Sequence, residues 1–141
     1  MRFALSRRGG SLAGRRVVVT AGGTRETFDP VRNITHRSSG RMGHALARAA
    51  LYREADVVLV SSAIHLACRV GAEFIRMNDV ASLRSAVPAA APLGADVLIM
   101  APAVSDLRSR RVAAEKLEKG AGGLTVDAGA GARAKLHSRG P

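Results

Sequence analysis

Residues 17–24, Val-Val-Val-Thr-Ala-Gly-Gly-Thr, decide the fold. Three consecutive β-branched residues predict a short buried strand over roughly residues 15–20. The Gly22-Gly23 pair then lets the backbone turn sharply and approach a ligand, because neither residue carries a Cβ atom. On its own, a glycine pair after a strand is more often a plain turn, and no G-x-G-x-x-G pattern follows this one. Together with the serines and arginines of residues 37–43, the pair indicates a phosphate site.

Ser38, Ser39 and Gly40 form a second predicted anion site. They precede a stretch with helical spacing, from about residue 40 to residue 53, so the serines are expected at the helix N-cap. Free N–H groups and the helix dipole favour a phosphate at that place. The long connection over residues 21–39 is expected to be a functional loop. The residues predicted on one apolar face of this helix are Met42, Ala45, Leu46, Ala49 and Ala50.

Three further strands and one more helix follow. The strands are predicted over residues 56–62, 72–77 and 97–104. Pro102 marks the point where pairing of the last strand is expected to stop. The helix starts at Val80, with Asn78 or Asp79 as its cap, and Pro88 and Pro92 are expected to end or kink it.

The composition favours the α/β class and divides the chain into three parts. Aromatic residues are only 3% of the sequence, so the core must come from aliphatic residues, as in a parallel sheet covered by helices. Residues 1–13 are predicted to be a basic linker, and residues 14–119 a single domain. Residues 113–119 are predicted to be at most a short charged loop. Residues 120–141, rich in Gly and Ala, are expected to be disordered.

The net charge of +11 is unevenly distributed. Basic residues dominate residues 1–53 and 108–141, whereas acidic residues outnumber them over residues 54–107. Such a balance fits a nucleic acid, a membrane surface or an anionic small molecule, and of these we expect the small molecule. Cys68 is the only cysteine, which excludes an intramolecular disulfide and favours a cytoplasmic location. No stretch approaches the roughly 20 apolar residues that span a bilayer, so no membrane association is expected.

Five motifs occur in an order and spacing that resemble a known family. They are T-A-G-G-T-R-E (residues 20–26), D-P-V-R (29–32), R-S-S-G-R-M-G (37–43), I-M-A-P-A-V-S-D (99–106) and A-E-K-L-E-K (114–119). Over roughly residues 12–119 the chain resembles phosphopantothenoylcysteine synthetase, the synthetase half of a bifunctional bacterial coenzyme A biosynthesis flavoprotein.

The resemblance implies a Rossmann-like parallel sheet with helices on both faces, and a homodimer. It also implies a two-step ligation, in which CTP with Mg²⁺ activates the carboxylate of 4′-phosphopantothenate and cysteine then displaces CMP. The decarboxylase half of the family is not matched. No FMN is therefore expected in this chain, and a separate flavin-dependent decarboxylase is a candidate partner.

The resemblance also implies roles for particular residues. Lys116 matches the family lysine that contacts the nucleotide phosphates, where a cation would stabilise developing negative charge. Lys116 and His36 are the expected catalytic residues. The expected nucleotide-binding residues are Gly22, Gly23, Thr24, Met100, Ala101, Pro102, Asp106 and Lys116. Those expected to bind phosphopantothenate are Arg37, Ser38, Ser39 and Gly40. No protein ligand for a metal is expected, since His65 and His137 lack ligand-like spacing to each other or to Cys68.

The chain departs from the family pattern at three places. His36 stands where the family has an asparagine that handles the activated intermediate, and an imidazole lacks the paired donor and acceptor of an amide. Pro102 replaces an alanine and removes a backbone donor. After Lys119 the asparagine-proline-aspartate motif of the family is not found, so we expect a truncated C-terminal end.

Three function classes follow from these observations. The leading hypothesis is a CTP-dependent phosphopantothenate–cysteine ligase. The second is a catalytically inactive nucleotide-binding remnant of the same family, motivated by His36 and the unmatched tail. The third is a basic protein that binds polyanions, which would show affinity for DNA that falls steeply with salt concentration.

Overall fold

The computed structural model describes residues 9–66, 71–92, 94–118 and 126–130. Predictions for residues 1–8, for Lys119 and for most of the tail lie outside these described residues. In chain order the elements are β1 (Arg16–Gly23), β2 (Arg25–Asp29), β3 (Arg32–Thr35), α1 (Arg41–Leu51), β4 (Asp56–Ser61), β5 (Ala72–Arg76), α2 (Val80–Ala90), β6 (Val97–Ala103), β7 (Leu107–Ser109) and β8 (Ala128–Ala130).

Four strands form a parallel sheet in the order β5-β4-β1-β6. The carboxyl ends of parallel strands lie at one edge, so Gly23, Ser61 and Ala103 end side by side. At the opposite edge, Arg16 binds Asp56 and donates two hydrogen bonds to the carbonyl oxygen of Ala90. The predicted α/β class is confirmed, and one edge of the sheet is left for ligands.

The sheet is covered by one helix on each face. Successive side chains of a strand point to opposite faces, so β1 contributes to two hydrophobic layers. Val17 and Val19 pack with Ala47 and Ala50 of α1. The other layer joins the sheet to α2 and contains Val18, Val58, Val60, Met77, Leu83, Ala86 and Ala90. The expected helices on both faces are confirmed.

The predicted apolar face of α1 is partly wrong. Met42 is 66% exposed and Leu46 is 37% exposed, whereas Gly43 and Ala47 are buried against the sheet. A Cβ atom on Gly43 would overlap that of Ala21 in β1. At Gly43 the helix therefore approaches the sheet so closely that no side chain would fit between them.

The connection expected as one long loop contains an antiparallel hairpin, β2–β3. Its turn is closed by Asp29, whose Oδ1 accepts hydrogen bonds from the backbone N–H groups of Val31 (2.9 Å) and Arg32 (2.7 Å). Aspartate side chains favour such turns. The two strands are polar and lack apolar alternation, so they carry little signal in the sequence.

Pro102 lies within β6, and the prediction that sheet pairing stops there is wrong. Its Cα pairs with that of Gly22 in β1. The carbonyl oxygen of Ala103 faces β1, because it accepts a hydrogen bond from the Thr24 N–H at 3.1 Å. Backbone groups alternate in direction along a strand, so the nitrogen of Pro102 points to the open edge, where a missing N–H costs no ladder bond.

Three smaller predictions also change. Pro88 does not end α2, which continues to Ala90, whereas the helix does end before Pro92 as expected. Within the predicted linker, Leu12 packs against the core and its N–H donates to the carbonyl oxygen of Arg53 at 3.0 Å. Within the predicted disordered tail, residues 128–130 form β8, which pairs antiparallel with β7.

Candidate functional site

Three chain segments meet at the ligand edge of the sheet: the glycine pair Gly22-Gly23, Gly40 and the end of β4. The sharp turn predicted at the glycine pair is wrong, because β1 continues to Gly23 and both glycines pair with β6. Gly22 and Gly40 have φ angles of 91° and 71°, which L-residues with side chains rarely adopt. A Cβ atom on Gly40 would lie 2.6 Å from the Cβ of Ala63, and one on Gly22 would overlap Ser62. The glycines therefore allow the predicted nucleotide and phosphopantothenate segments to touch.

Ser62, which follows β4, hydrogen-bonds to the glycine pair at the end of β1. Its hydroxyl donates a 2.8 Å hydrogen bond to the carbonyl oxygen of Gly23. On the other side, the carbonyl oxygen of His36 lies 2.5 Å from where a Cβ of Gly23 would be. The backbone of His36 thus packs against Gly23, while the side chain of His36 is exposed.

The N-terminus of α1 carries no side-chain cap, which corrects the expected N-cap role of the serines. Gly40 is the N-cap, and the first turn contains no acidic residue. Ser38 and Ser39 precede it and accept long hydrogen bonds of 3.4 Å from the N–H groups of Gly40 and Arg41. The positive end of the helix is therefore not neutralised by the protein's own carboxylates.

The N-terminus of α2 shows the opposite arrangement. Asp79 accepts a hydrogen bond from the Ser82 N–H at 2.7 Å in a capping box, as predicted for Asp79. Glu26 of β2 accepts a second from the Val80 N–H at 2.9 Å. The Ser82 hydrogen bonds hold the pKa of Asp79 below its usual value, although its partial burial opposes them. Of the two helices, α1 is the one that offers free N–H groups to an anion.

Thr24 has a structural position, which argues against its expected contact with a nucleotide. The residue is fully buried, and its hydroxyl oxygen accepts a 2.8 Å hydrogen bond from the N–H of Ser105. Its carbonyl oxygen accepts another from the hydroxyl of Thr35. Thr24 therefore joins the end of β1 to the chain that follows β6 and to the end of β3.

The other expected nucleotide residues lie along β6 and just after it. Met100 and Ala101 pair with Thr20 and Ala21 of β1, and the Met100 sulfur accepts a hydrogen bond from the Thr20 hydroxyl. Asp106 follows the buried Ser105 and is exposed. The structure thus brings residues 100–102 beside the end of β1, where Gly22 pairs with Pro102, and leaves Asp106 exposed to solvent.

Lys116 is exposed and is held in place through its neighbour Leu117. The carboxylate of Asp29 accepts a hydrogen bond from the Leu117 N–H at 3.3 Å, and Arg32 donates to the Leu117 carbonyl oxygen at 3.0 Å. Arg32 also forms a 2.8 Å ion pair with Asp29, which is fully buried. Burial alone would raise the pKa of Asp29, but the backbone hydrogen bonds from Val31, Leu117 and Arg32, together with the charge of Arg32, lower it below its usual value.

Sequence reasoning missed Glu26, Asp29, Ser62 and Ser105 as residues that shape this site. The first two belong to the quoted motifs T-R-E and D-P-V-R, so their motifs were a usable signal. Ser105 likewise belongs to the quoted motif I-M-A-P-A-V-S-D, whereas Ser62 lies outside the five motifs and no pattern distinguishes it from a loop serine. Arg37, expected to bind phosphopantothenate, is exposed on the segment between β3 and α1.

His44 is a half-buried group beside this edge that the sequence did not assign to the site. Its Nε2 lies 3.3 Å from the hydroxyl oxygen of Ser61, which itself accepts a hydrogen bond from the Ala63 N–H. Burial, and then the charge of His65, lower the pKa of His44 below its usual value of 6.5. The neutral imidazole is therefore favoured beside Ser61 at the end of β4.

A cleft of about 670 Å³ opens between the hairpin β2–β3 and β7–β8. It contains none of the residues predicted for the site. Its lining residues are Glu26, Thr27, Arg108, Ser109, Arg110, Val112 and Gly129.

Within the described ranges there is no group of three or more His, Cys, Asp or Glu side chains able to hold a metal ion. Over the same part of the chain, no helix is long and apolar enough to cross a membrane.

Comparison with known proteins decides the family. Residues 12–129 match the family described as "DNA/pantothenate metabolism flavoprotein C-terminal domain". The chain belongs to this family. The resemblance to the synthetase half of the bifunctional protein is thereby confirmed.

Several coenzyme A biosynthesis bifunctional proteins, CoaBC, are similar to this family member. The protein of Mycobacterium tuberculosis is 50% identical over 115 residues, which cover 79% of this chain and 27% of the relative. That of Bacillus subtilis is 42% identical over 117 residues, covering 82% of this chain and 29% of the relative. The chain therefore spans less than a third of the length of these relatives.

Solved structures agree with the fold. A crystal structure of the C-terminal domain of CoaBC superposes with a TM-score of 0.71 at 30% identity, over 86% of this chain and 56% of that chain. A Cab2 variant in complex with phosphopantothenate-cysteine gives a TM-score of 0.64 over 81% of this chain and 56% of that one. Its identity of 16% supports the fold alone. The Rossmann-like α/β fold is confirmed.

Proposed function

We propose that this chain acts as a phosphopantothenate–cysteine ligase of coenzyme A biosynthesis. The observation that carries the proposal is the junction of Gly22-Gly23 with the uncapped N-terminus of α1 at the carboxyl edge of the sheet. Two anionic substrates need two neighbouring phosphate sites. The start of α1 offers backbone N–H groups, and the glycine pair lets a ligand approach the backbone closely because it carries no Cβ atoms. Membership of the family supplies the substrate class.

The proposed reaction has two steps. The carboxylate of 4′-phosphopantothenate attacks the α-phosphate of CTP, which forms an acyl-cytidylate and releases pyrophosphate. The amine of cysteine then attacks the acyl carbonyl, forms the amide bond and releases CMP. Negative charge develops on the phosphate oxygens in the first step, and Lys116 is proposed to stabilise it. Mg²⁺ would arrive on the nucleotide phosphates and neutralise part of their charge.

The sites of the two substrates are assigned by position. Arg37, Ser38, Ser39 and Gly40 are proposed to hold the phosphate of phosphopantothenate at the start of α1. The nucleotide is proposed to lie along the glycine pair at the end of β1 and along residues 100–102, with Asp106 and Lys116 reaching it from the segments beyond β6. His36 stands between the two, where it is proposed to contact the activated intermediate.

The proposal extends to the assembly and location of the protein. We propose that the chain works as a homodimer in the cytoplasm, without FMN of its own. A separate flavin-dependent decarboxylase would then use its product. Size determination by light scattering tests the dimer independently of activity.

Isothermal titration tests binding, and pyrophosphate release tests catalysis. CTP–Mg²⁺ and 4′-phosphopantothenate should each give a saturable heat below millimolar concentration. Lys116→Gln is the matched variant: it keeps a polar chain, removes the charge, and should weaken only the nucleotide response. No heat with either ligand at millimolar concentration would refute the proposal. Binding without pyrophosphate release would instead identify the inactive remnant.

A further inference from the structure

The segment that carries Lys116 depends on the hairpin β2–β3 for its position. This segment, residues 112–118, which we call the strap, contains no helix or strand. It is attached at two points: the Ala113 N–H donates to the carbonyl oxygen of Phe28 at 2.9 Å, and Leu117 binds the Asp29–Arg32 pair. Ala113 and Leu117 are half-buried, whereas the other strap residues are exposed. Hydrogen bonds to the hairpin therefore hold this segment more than apolar burial does.

The Asp29 carboxylate is held by hydrogen bonds within the hairpin, in addition to its bond to the strap. Its Oδ1 is held by the turn of the hairpin, and its Oδ2 accepts the 2.8 Å hydrogen bond from Arg32. Both the N–H and the carbonyl group of Leu117 are bound, one by Asp29 and one by Arg32. A residue bound at both backbone groups has little freedom to rotate, so the Cα of the preceding Lys116 is held as well.

We propose that Asp29 is a positioning residue that places Lys116 at the nucleotide phosphates. This inference rests on the function proposed for Lys116. The same hairpin continues through β3 into the segment of His36 and Ser38. One rigid element thus supports the cation on the nucleotide side and the backbone on the phosphopantothenate side, and the carboxylate of Asp29 links the two.

Asp29→Asn tests the mechanical part of the inference without any substrate. Asparagine keeps one oxygen for the hairpin turn, but its NH₂ group faces the N–H of Leu117 and the guanidinium of Arg32. Tryptic cleavage of the Lys116–Leu117 bond should become about 10- to 100-fold faster, the factor expected for losing a hydrogen bond to a charged group. Cleavage that is no faster than in the native protein would overturn the inference.

Asp96→Asn is the matched control. Asp96 also binds an arginine and a backbone N–H, accepting from Arg15 at 2.8 Å and from the Arg16 N–H at 2.8 Å, but at the opposite edge of the sheet. Its substitution should leave cleavage after Lys116 unchanged. If Asp29→Asn fails to fold, hydrogen exchange of the native protein decides. The Leu117 amide should then exchange at least tenfold more slowly than an unstructured amide, and exchange at the unstructured rate would overturn the inference.

Pyrophosphate release tests the functional part. With CTP–Mg²⁺ and 4′-phosphopantothenate, Asp29→Asn should lower kcat about 10- to 100-fold with little change in the KM for phosphopantothenate. A residue that acts through Lys116 should add nothing once Lys116 is gone, so Asp29→Asn combined with Lys116→Ala should be no slower than Lys116→Ala alone. Additive losses would overturn the inference. A native chain that releases no pyrophosphate would count against the proposed function, and the cleavage rates would still decide the role of Asp29.

Discussion

Gly40 is the position where a single methyl group should most disturb the junction of the two phosphate segments. Its φ angle of 71° lies in the left-handed region, and a Cβ atom there would lie 2.6 Å from the Cβ of Ala63. The nearest backbone atoms of Gly22 would lie at 3.4 and 3.5 Å, which is ordinary contact. Gly40→Ala therefore introduces two separate costs, one in the backbone and one against Ala63.

The magnitude of each cost can be estimated separately. The left-handed conformation costs a residue with a Cβ about 1–2 kcal/mol. Overlap in a packed site costs about 1–3 kcal/mol. Gly40→Ala should thus lower the free energy of unfolding by about 2–5 kcal/mol, a large share of the 5–15 kcal/mol typical of small domains.

Ala63→Gly provides the second arm of a double-mutant cycle. Alone it should cost about 1–2 kcal/mol, from the lost buried methyl group and the added freedom of glycine in the unfolded chain. In the double variant the overlap disappears and the backbone cost at residue 40 remains. The double variant should therefore lose about 1–3 kcal/mol less free energy of unfolding than the sum of the two single losses.

Urea unfolding followed by circular dichroism measures all four proteins of the cycle. Gly9→Ala is the control, because among the described residues other than its chain neighbours no atom lies within 4 Å of the added Cβ, and its φ is not in the left-handed region. It should stay within about 0.5 kcal/mol of the native protein. A Gly40→Ala variant as stable as that control, or additive effects of residues 40 and 63, would refute the close packing on which the junction rests.

Two further predictions concern histidines. At saturating substrates, His36→Asn should form CMP faster than the native chain. The increase should reach about 10²–10³-fold if the asparagine restores one hydrogen bond to the developing charge. Equal or slower rates would show that the imidazole serves as well. Because the folded state lowers the pKa of His44, the unfolded chain takes up that proton more readily, so stability should fall as the pH drops through 6.5 and level off below the folded pKa. In His44→Gln the midpoint of urea unfolding should change less between pH 7.5 and 5.5 than in the native protein. The same pH dependence in both proteins would contradict this assignment.

Local patterns were sufficient to predict most of the secondary structure. The run of valines at residues 17–19 and the apolar run at 57–60 predicted the two central strands, because a strand buried on both faces must be apolar at every position. A cap at Asn78 or Asp79 was predicted from their place before Val80, since a capping bond spans only three residues, and the structure shows that Asp79 is the cap. The five motifs between residues 20 and 119, in their order and spacing, also indicated the family from the sequence.

Tertiary structure alone decided how these elements are used. The bonds from Ser105 to Thr24 and from Leu117 to Asp29 join residues 81 and 88 positions apart, and no local pattern encodes such a contact. Met42 is apolar yet exposed, because the buried face of α1 is the one that carries Gly43, Ala47 and Ala50, where Gly43 lies against Ala21. Pro102 stays in its strand because β6 is at an edge, and which strand takes the edge depends on the packing of the whole sheet.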